Sequence, residues 1–184
     1  KAVCSKIRLL RKLSHDDLAK LNIFLSGEHE ILEGFGIAAG NAKVRTFGSA
    51  SVVAYGSPSI EAYESSSVRA YNFSSVRAFN STSVKAFGSS SVKVSGSSSV
   101  EAYDSVSVKA YESSSVKTFD FSSIEASGSS SVVAYGSPSI KASGKAIVRI
   151  VCGADPTVSL TENAVCCDFT KSNKQKKCLV TQAL

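Results

Sequence analysis

Between Val44 and Val148 a β-branched residue returns at every eighth position without a slip: Val44, Val52, Ile60, Val68, Val76, Val84, Val92, Val100, Val108, Val116, Ile124, Val132, Ile140 and Val148. Two places after most anchors stands an alanine, as in Ala54, Ala62, Ala70, Ala78, Ala86 and Ala102. Anchor and alanine share parity, so on a β-strand they face the same side. The residue between them faces the other side and is nearly always charged: Arg45, Glu61, Arg69, Arg77, Lys85, Lys93, Glu101, Lys109, Lys117, Glu125 or Lys141. An aromatic residue usually follows, then turn chemistry such as Gly48-Ser49, Asn80-Ser81 or Asp104-Ser105. Eight is a poor multiple of 3.6 and Ser, Val and Tyr are weak helix formers, so a helix is excluded.

Each octad predicts a strand of about five residues and a turn of about three. Eight residues are too few for one chain to close a coil, whereas sixteen suffice with two strands back to back. Departures from the consensus keep the sixteen-residue beat. Serine replaces the aromatic residue at Ser95, Ser127 and Ser143, and phenylalanine takes a serine position at Phe73 and Phe121. Pro58 and Pro138, like Val53 and Val133, are also separated by multiples of sixteen. The pair Thr46 and Thr118 breaks the rule. The pattern predicts an all-β fold, a two-sided parallel β-solenoid of sixteen residues per coil. Tyr55, Tyr71, Phe87, Tyr103, Phe119 and Tyr135 then stack as one ladder at the strand spacing of roughly 4.8 Å. Serines such as Ser51, Ser59 and Ser67 are expected to form similar rows, donating hydrogen bonds along the stack. The repeat tract alone predicts a rod roughly 30 Å long, at one strand spacing per coil.

The flanks read as caps, which a solenoid needs to block its open strand edges. Residues 1–28 are expected to be a helical N-terminal cap, residues 29–151 the solenoid, and residues 152–184 a C-terminal cap carrying cysteines. Val3, Ile7, Leu10 and Leu13 keep helical spacing, and Ser14-His15-Asp16-Asp17 looks like an N-cap opening a helix through Leu18, Leu21 and Phe24. Ser26-Gly27 is expected to end it, and 31–42 to form an imperfect first coil.

Serine makes up 32 of the 108 residues from Val44 to Val151, a share that in an aperiodic tract would signal disorder. The fixed phase of the apolar anchors argues for order instead. The net charge of +6 is spread thinly over the chain, without the basic concentration of a nucleic-acid module. No apolar run reaches about 18 residues, so no membrane helix is expected. No signal peptide is visible, and the chain opens at Lys1 without Met.

Little chemistry can be assembled from what remains. The five cysteines, Cys4, Cys152, Cys166, Cys167 and Cys178, lack the paired short spacing of a zinc site. They fit buried thiols first, a disulfide within the C-terminal cap second and a metal last. His15 and His29 lie in different segments, and no nucleophile elbow, phosphate loop or complete dinucleotide loop occurs. Aspartate is too sparse in the repeats for a calcium-binding roll. No cofactor, no metal and no catalysis are expected.

At the octad itself the chain resembles the Ser-Ser-Ser-Val-Glu-Ala-Tyr-Gly repeat proteins of bacteria and phages, across residues 44–148. That resemblance implies a parallel β-solenoid and a bacterial or phage source. The chain is similar, more distantly, to ice-nucleation proteins, whose octads also pair to sixteen; their Thr-x-Thr face is absent here. It is also similar to the trimeric β-helical needles of phage tails and type VI secretion spikes, although alanine stands where those carry glycine.

The functional expectation is a structural or interaction protein: a rigid rod presenting basic and aromatic rows to a protein partner, an acidic one being the option the charge favours, or to further copies of itself. The residues expected to carry contact are Arg77, Lys93, Lys109 and Lys141 with the ladder Tyr55, Tyr71, Phe87, Tyr103, Phe119 and Tyr135. Lys93 beside Lys109 on one face is a repulsive pair that an anionic surface would relieve. The alternatives are an ice- or glycan-binding module or a trimeric spike component. The expected setting is a bacterial host's cytoplasm or a virion.

Overall fold

A computed structural model describes residues 14–152, 156–169 and 177–180. A short helix, α1 (His15–Lys20), precedes the strands β1 (Ile23–Phe24), β2 (Glu28–Ile31), β3 (Phe35–Gly40), β4 (Lys43–Thr46), β5 (Ser51–Gly56) and β6 (Ser59–Ala62). The repeats continue as β7 (Ser67–Ala70), β8 (Ser75–Ala78), β9 (Ser83–Ala86), β10 (Ser91–Val94), β11 (Ser99–Ala102), β12 (Ser107–Ala110) and β13 (Ser115–Thr118). Then come β14 (Ser123–Ala126), β15 (Ser131–Tyr135), β16 (Ser139–Ala142), β17 (Ile147–Cys152), β18 (Thr157–Leu160), β19 (Val165–Asp168) and β20 (Lys177–Val180).

The odd strands, with β20, form one sheet and the even strands β2 to β18 the other, so the chain crosses between sheets at every octad and closes each coil by itself. All pairings from β1 to β19 are parallel, and β20 alone runs antiparallel, against β19. The protein is a two-sided parallel β-solenoid of about 16 residues per turn and about 9 turns. At about 4.8 Å per turn that is a rod about 40 Å long, longer than the repeat tract alone implied. The surplus lies at the two ends. Register steps by 14 residues from Ile23 to Ile37, by 15 from Glu28 to Lys43, by 16 through the octads, and by 18 from Ser139 to Thr157. Coiling therefore continues past 151, where the octad text stops. The step grows by two residues, and one of the surplus is Val151, bulged within β17 between the pairs Ala134–Ile150 and Tyr135–Cys152.

The alternation of the sequence is the alternation of burial. In β8, Ser75 and Arg77 are exposed while Val76 and Ala78 are buried, and most other repeat strands follow. Through the octads the interior holds Val, Ile, Ala and a few small polar side chains, so no single one buries much area. Each is nevertheless fully removed from water, and the backbone ladders continue around the corners, as in the 2.9 Å bond from Ser89 N–H to the Asn72 carbonyl. The chain turns each corner through a left-handed residue such as Asn72, Asn80 or Gly88.

The serine rows differ from expectation. Ser59, Ser75, Ser91 and their equivalents stack in register but lie at the surface. The buried hydroxyls belong to the residue before: Ser66, Ser74, Thr82, Ser90, Ser98 and later equivalents. They donate mainly across their own corner rather than along the stack, as Ser74 Oγ does to the Tyr71 carbonyl at 2.6 Å and Thr82 Oγ1 to Phe79 at 2.6 Å. The corner carbonyl three residues back is nearer than the next coil.

Ser14 caps α1, and its hydroxyl accepts from Asp17 N–H. The helix is shorter than its apolar spacing suggested. It ends at Lys20, Asn22 turns left-handed, and Phe24 enters β1, where its ring stacks on His29 at 4.2 Å. Burying Phe24 against the first coil wins over another helical turn. The expected helix over Val3 to Leu13 lies outside the described residues, as do Cys4 and the loop 170–176. Cys166 is buried in the interior row that Val148 occupies one coil earlier, and the register sets Cys178 opposite Cys167.

Candidate functional site

Sixteen-residue register turns each outward position into a column along the rod. On the even sheet the column reads Glu30, Arg45, Glu61, Arg77, Lys93, Lys109, Glu125, Lys141. Its first half alternates in sign and pairs throughout: Arg45 to Glu30 at 3.8 Å and to Glu61 at 3.3 Å, and Arg77 to Glu61 at 3.7 Å. Further along, Lys109 Nζ lies 2.7 Å from Glu125. This contact holds the Glu125 carboxyl below its usual range and raises the Lys109 ammonium above its own.

Lys93 is left between these two paired stretches. Its register neighbours are Arg77 and Lys109, both cationic, and no carboxylate among the described residues lies within ion-pair distance of it. Its ammonium leans over the Tyr111 ring at 5.5 Å from the centroid, a cation–π contact. Lys141 sits beside Glu125 in register, with no cation following it, since the next residue of the column is Ser159. Arg77, Lys93 and Lys109 thus form one contiguous basic strip, and Lys141 is separated from it by Glu125.

The odd sheet distributes charge differently. Lys85 pairs with Glu101 at 2.8 Å, which lowers the Glu101 carboxyl and raises Lys85. Lys117 lies over Phe119 and Tyr135 at 5.7 and 5.6 Å. This face carries no run of three cations without a carboxylate between them.

The long ladder assembles as its spacing predicted. Tyr55, Tyr71, Phe87, Tyr103, Phe119 and Tyr135 stack at centroid separations of 5.0, 4.9, 4.8, 4.7 and 5.1 Å. Tyr55 thus lies beside Tyr71, one coil away, rather than beside Tyr63. Stacking has a chemical consequence for the ladder as a contact surface. The inner rings have both faces covered by neighbouring rings, so they offer only edges to a partner. Burial, reinforced by Glu101, pushes the Tyr103 phenol above its ordinary range, and Tyr63 is raised in the same way with Glu61.

The opposite corner carries a second, shorter ladder that the sequence reading did not single out. Phe47, Tyr63 and Phe79 stack at 5.2 and 5.0 Å and the row stops at Ser95. The same sixteen-residue spacing was the available signal. A groove of about 600 Å³ runs along the first half of the even sheet, past His29, Arg45, Glu61 and Arg77. His29 is half-buried there, its Nε2 2.7 Å from the Ser26 carbonyl, and it faces no nucleophile among the described contacts. Among the described residues, no three His, Cys, Asp or Glu side chains gather as metal ligands, and no helix is long and apolar enough to cross a membrane.

No protein-family model matches the chain, and neither a curated protein nor a solved structure is significantly similar to it.

Proposed function

We propose that this protein is a non-catalytic structural or interaction rod, of bacterial or phage origin, serving as a scaffold, virion component or adaptor. Its even sheet receives an acidic protein surface at Arg77, Lys93 and Lys109, with Lys141 extending the contact. The observation that supports this reading is Lys93: a lysine held in register between two cations, with no carboxylate partner among the described residues. Repulsion on this strip is relieved when an anionic surface docks, and the attraction weakens as salt rises. A solenoid is suited to the role because its contact columns are held by backbone register, so little conformational entropy is lost on binding.

The test is a pull-down from source lysate at low and high salt, with the retained protein identified and the binding repeated with Lys93→Glu and Lys109→Glu. One acidic partner, lost on charge reversal and weakened by salt, supports the proposal. Retention that ignores both, or thermal hysteresis of ice growth, overturns it.

A further inference from the structure

The corner column of the even sheet reads Phe47, Tyr63, Phe79, Ser95, Tyr111, Ser127, Ser143, Thr161. Tyr111 is consequently the one ring of this column that stacks on no other ring. On the Ser95 side its face is occupied by the Lys93 ammonium. On the other side three successive rungs carry hydroxyls in place of rings. They leave a groove of about 350 Å³ bounded by Tyr111, Glu125, Ser127, Lys141, Ser143 and Thr161.

We propose that this groove binds a carbohydrate, with a pyranose ring lying on the open face of Tyr111 in the rung of Ser127. The ladder fixes the geometry. A flat ring in that rung takes the place that an aromatic side chain occupies elsewhere in the column, at one strand spacing of about 4.8 Å from Tyr111. Glu125 stands two residues before Ser127 and faces the same way, as Glu101 does relative to Tyr103, whose phenol reaches it at 3.2 Å. A hydroxyl on the rim of the sugar is therefore placed to donate to Glu125, and one rung further on Lys141 donates in return.

The lining selects the chemistry. A pyranose has a C–H face for the tyrosine ring and hydroxyls for the serines, carboxylate and ammonium. A partner's aromatic side chain would gain one stacked face and strip water from Glu125 and Lys141 without replacing those hydrogen bonds. A free anion would meet Glu125 as a repulsive neighbour. The inference stands on a different observation from the acidic-partner reading, whose key residue, Lys93, lies on the other side of Tyr111; Lys141 is common to the two.

The test is an NMR titration of the whole chain, labelled at tyrosine rings, with methyl β-D-glucopyranoside, cellobiose, chitobiose and maltose up to tens of millimolar. Saturable shifts at Tyr111 with at least one sugar, and none at Tyr55 or Tyr71, are expected. Ser127→Tyr fills the rung and continues the ladder. It should raise the thermal midpoint and weaken sugar binding at least tenfold, so loss of binding cannot be ascribed to unfolding. Absence of any Tyr111 shift, equal shifts in Ser127→Tyr, or a shift produced by N-acetyltyrosine amide but by no sugar each overturns the proposal. The two readings fail separately, because the acidic partner is lost on charge reversal at Lys93 and the sugar on filling at Ser127.

Discussion

The carboxylate of Asp104 accepts a hydrogen bond from the backbone N–H of Gly88, one coil earlier, at 2.9 Å. Both residues occupy left-handed corners, where the N–H points away from the ladder. Glu64 does the same for Gly48, Glu112 for Gly96 and Glu162 for Gly144, at 2.8, 2.9 and 2.7 Å. Acidic residues at these corners thus take on strain in φ and satisfy a donor that glycine alone would leave to water.

The two effects can be separated at Glu112. Glu112→Ala keeps the left-handed strain and loses the acceptor, and is expected to cost about 1 kcal/mol. Glu112→Gly loses the same bond and also removes strain of about 1 kcal/mol, so it should be nearly neutral. Urea unfolding of the two variants beside the parent checks the difference.

Gly136 permits no such exchange. Its φ is +92°, and a Cβ there would lie 2.6 Å from the backbone nitrogen of Asp120. Gly136→Ala is expected to destabilise by about 2 kcal/mol or more, because the obstacle is backbone. A thermal midpoint unchanged by this substitution would contradict the corner geometry.

Thr118 Oγ1 and Thr46 Oγ1 are fully buried and have no hydrogen-bond partner among the described residues. Both stand where the repeat otherwise places alanine or another apolar residue. Thr118→Val keeps the shape and removes the orphaned hydroxyl, so a gain of about 1 kcal/mol is expected in denaturant unfolding.

Ser95 is a single missing rung between Phe79 and Tyr111. Ser95→Tyr is expected to join the two into a continuous ladder, contributing about 1 kcal/mol from the new ring contacts. It also displaces the Lys93 ammonium from Tyr111, which NMR of the ring reads directly.

Acid and alkali should both weaken the fold. The depressed carboxyls of Glu28, Glu101 and Glu125 contribute stability that is present above their ordinary value of 4.5 and is lost as pH falls through the lower folded values. The raised Lys85 and Lys109 contribute stability present below 10.5 and lost as pH rises through the higher folded values. The raised phenols of Tyr63 and Tyr103 add to the alkaline side, since their neutral forms are favoured. Unfolding free energy should be flat between these limits. The slopes should be modest, because the ion pairs face solvent, and Glu101→Gln should flatten the acid arm.

The repeat tract was legible because one Val or Ile per octad fixes the phase, and substitutions such as Ser95, Ser127 and Ser143 reveal which octads share a column. What escaped the reading lies where that phase is lost. Thr157 pairs with Ser139 at a step of 18, so the coil past 151 had no periodic text to announce it. The left-handed glutamates Glu64 and Glu112 carry no turn signature of their own, since glutamate is not a turn former. Phe24 kept helical spacing from Leu18 and Leu21, and only tertiary burial in β1 shows why the helix stops. On the even sheet, Lys93 was expected beside Lys109 and the two are register partners. That Lys93 leans on Tyr111 depends on a missing ring one rung below, which no local pattern states.

Because each coil is closed by one chain and its columns repeat every sixteen residues, the molecule has a natural quantum of change. Gain or loss of sixteen residues by slippage between near-identical gene segments would lengthen or shorten the rod by one step and leave every column in place. Gain or loss of eight would turn everything beyond it through half a revolution. The strip of Arg77, Lys93 and Lys109 would then be spliced onto the opposite side's residues. Inheritance of a working surface therefore favours copying in pairs of octads, and the sixteen-residue beat in the substitutions is the trace such copying would leave.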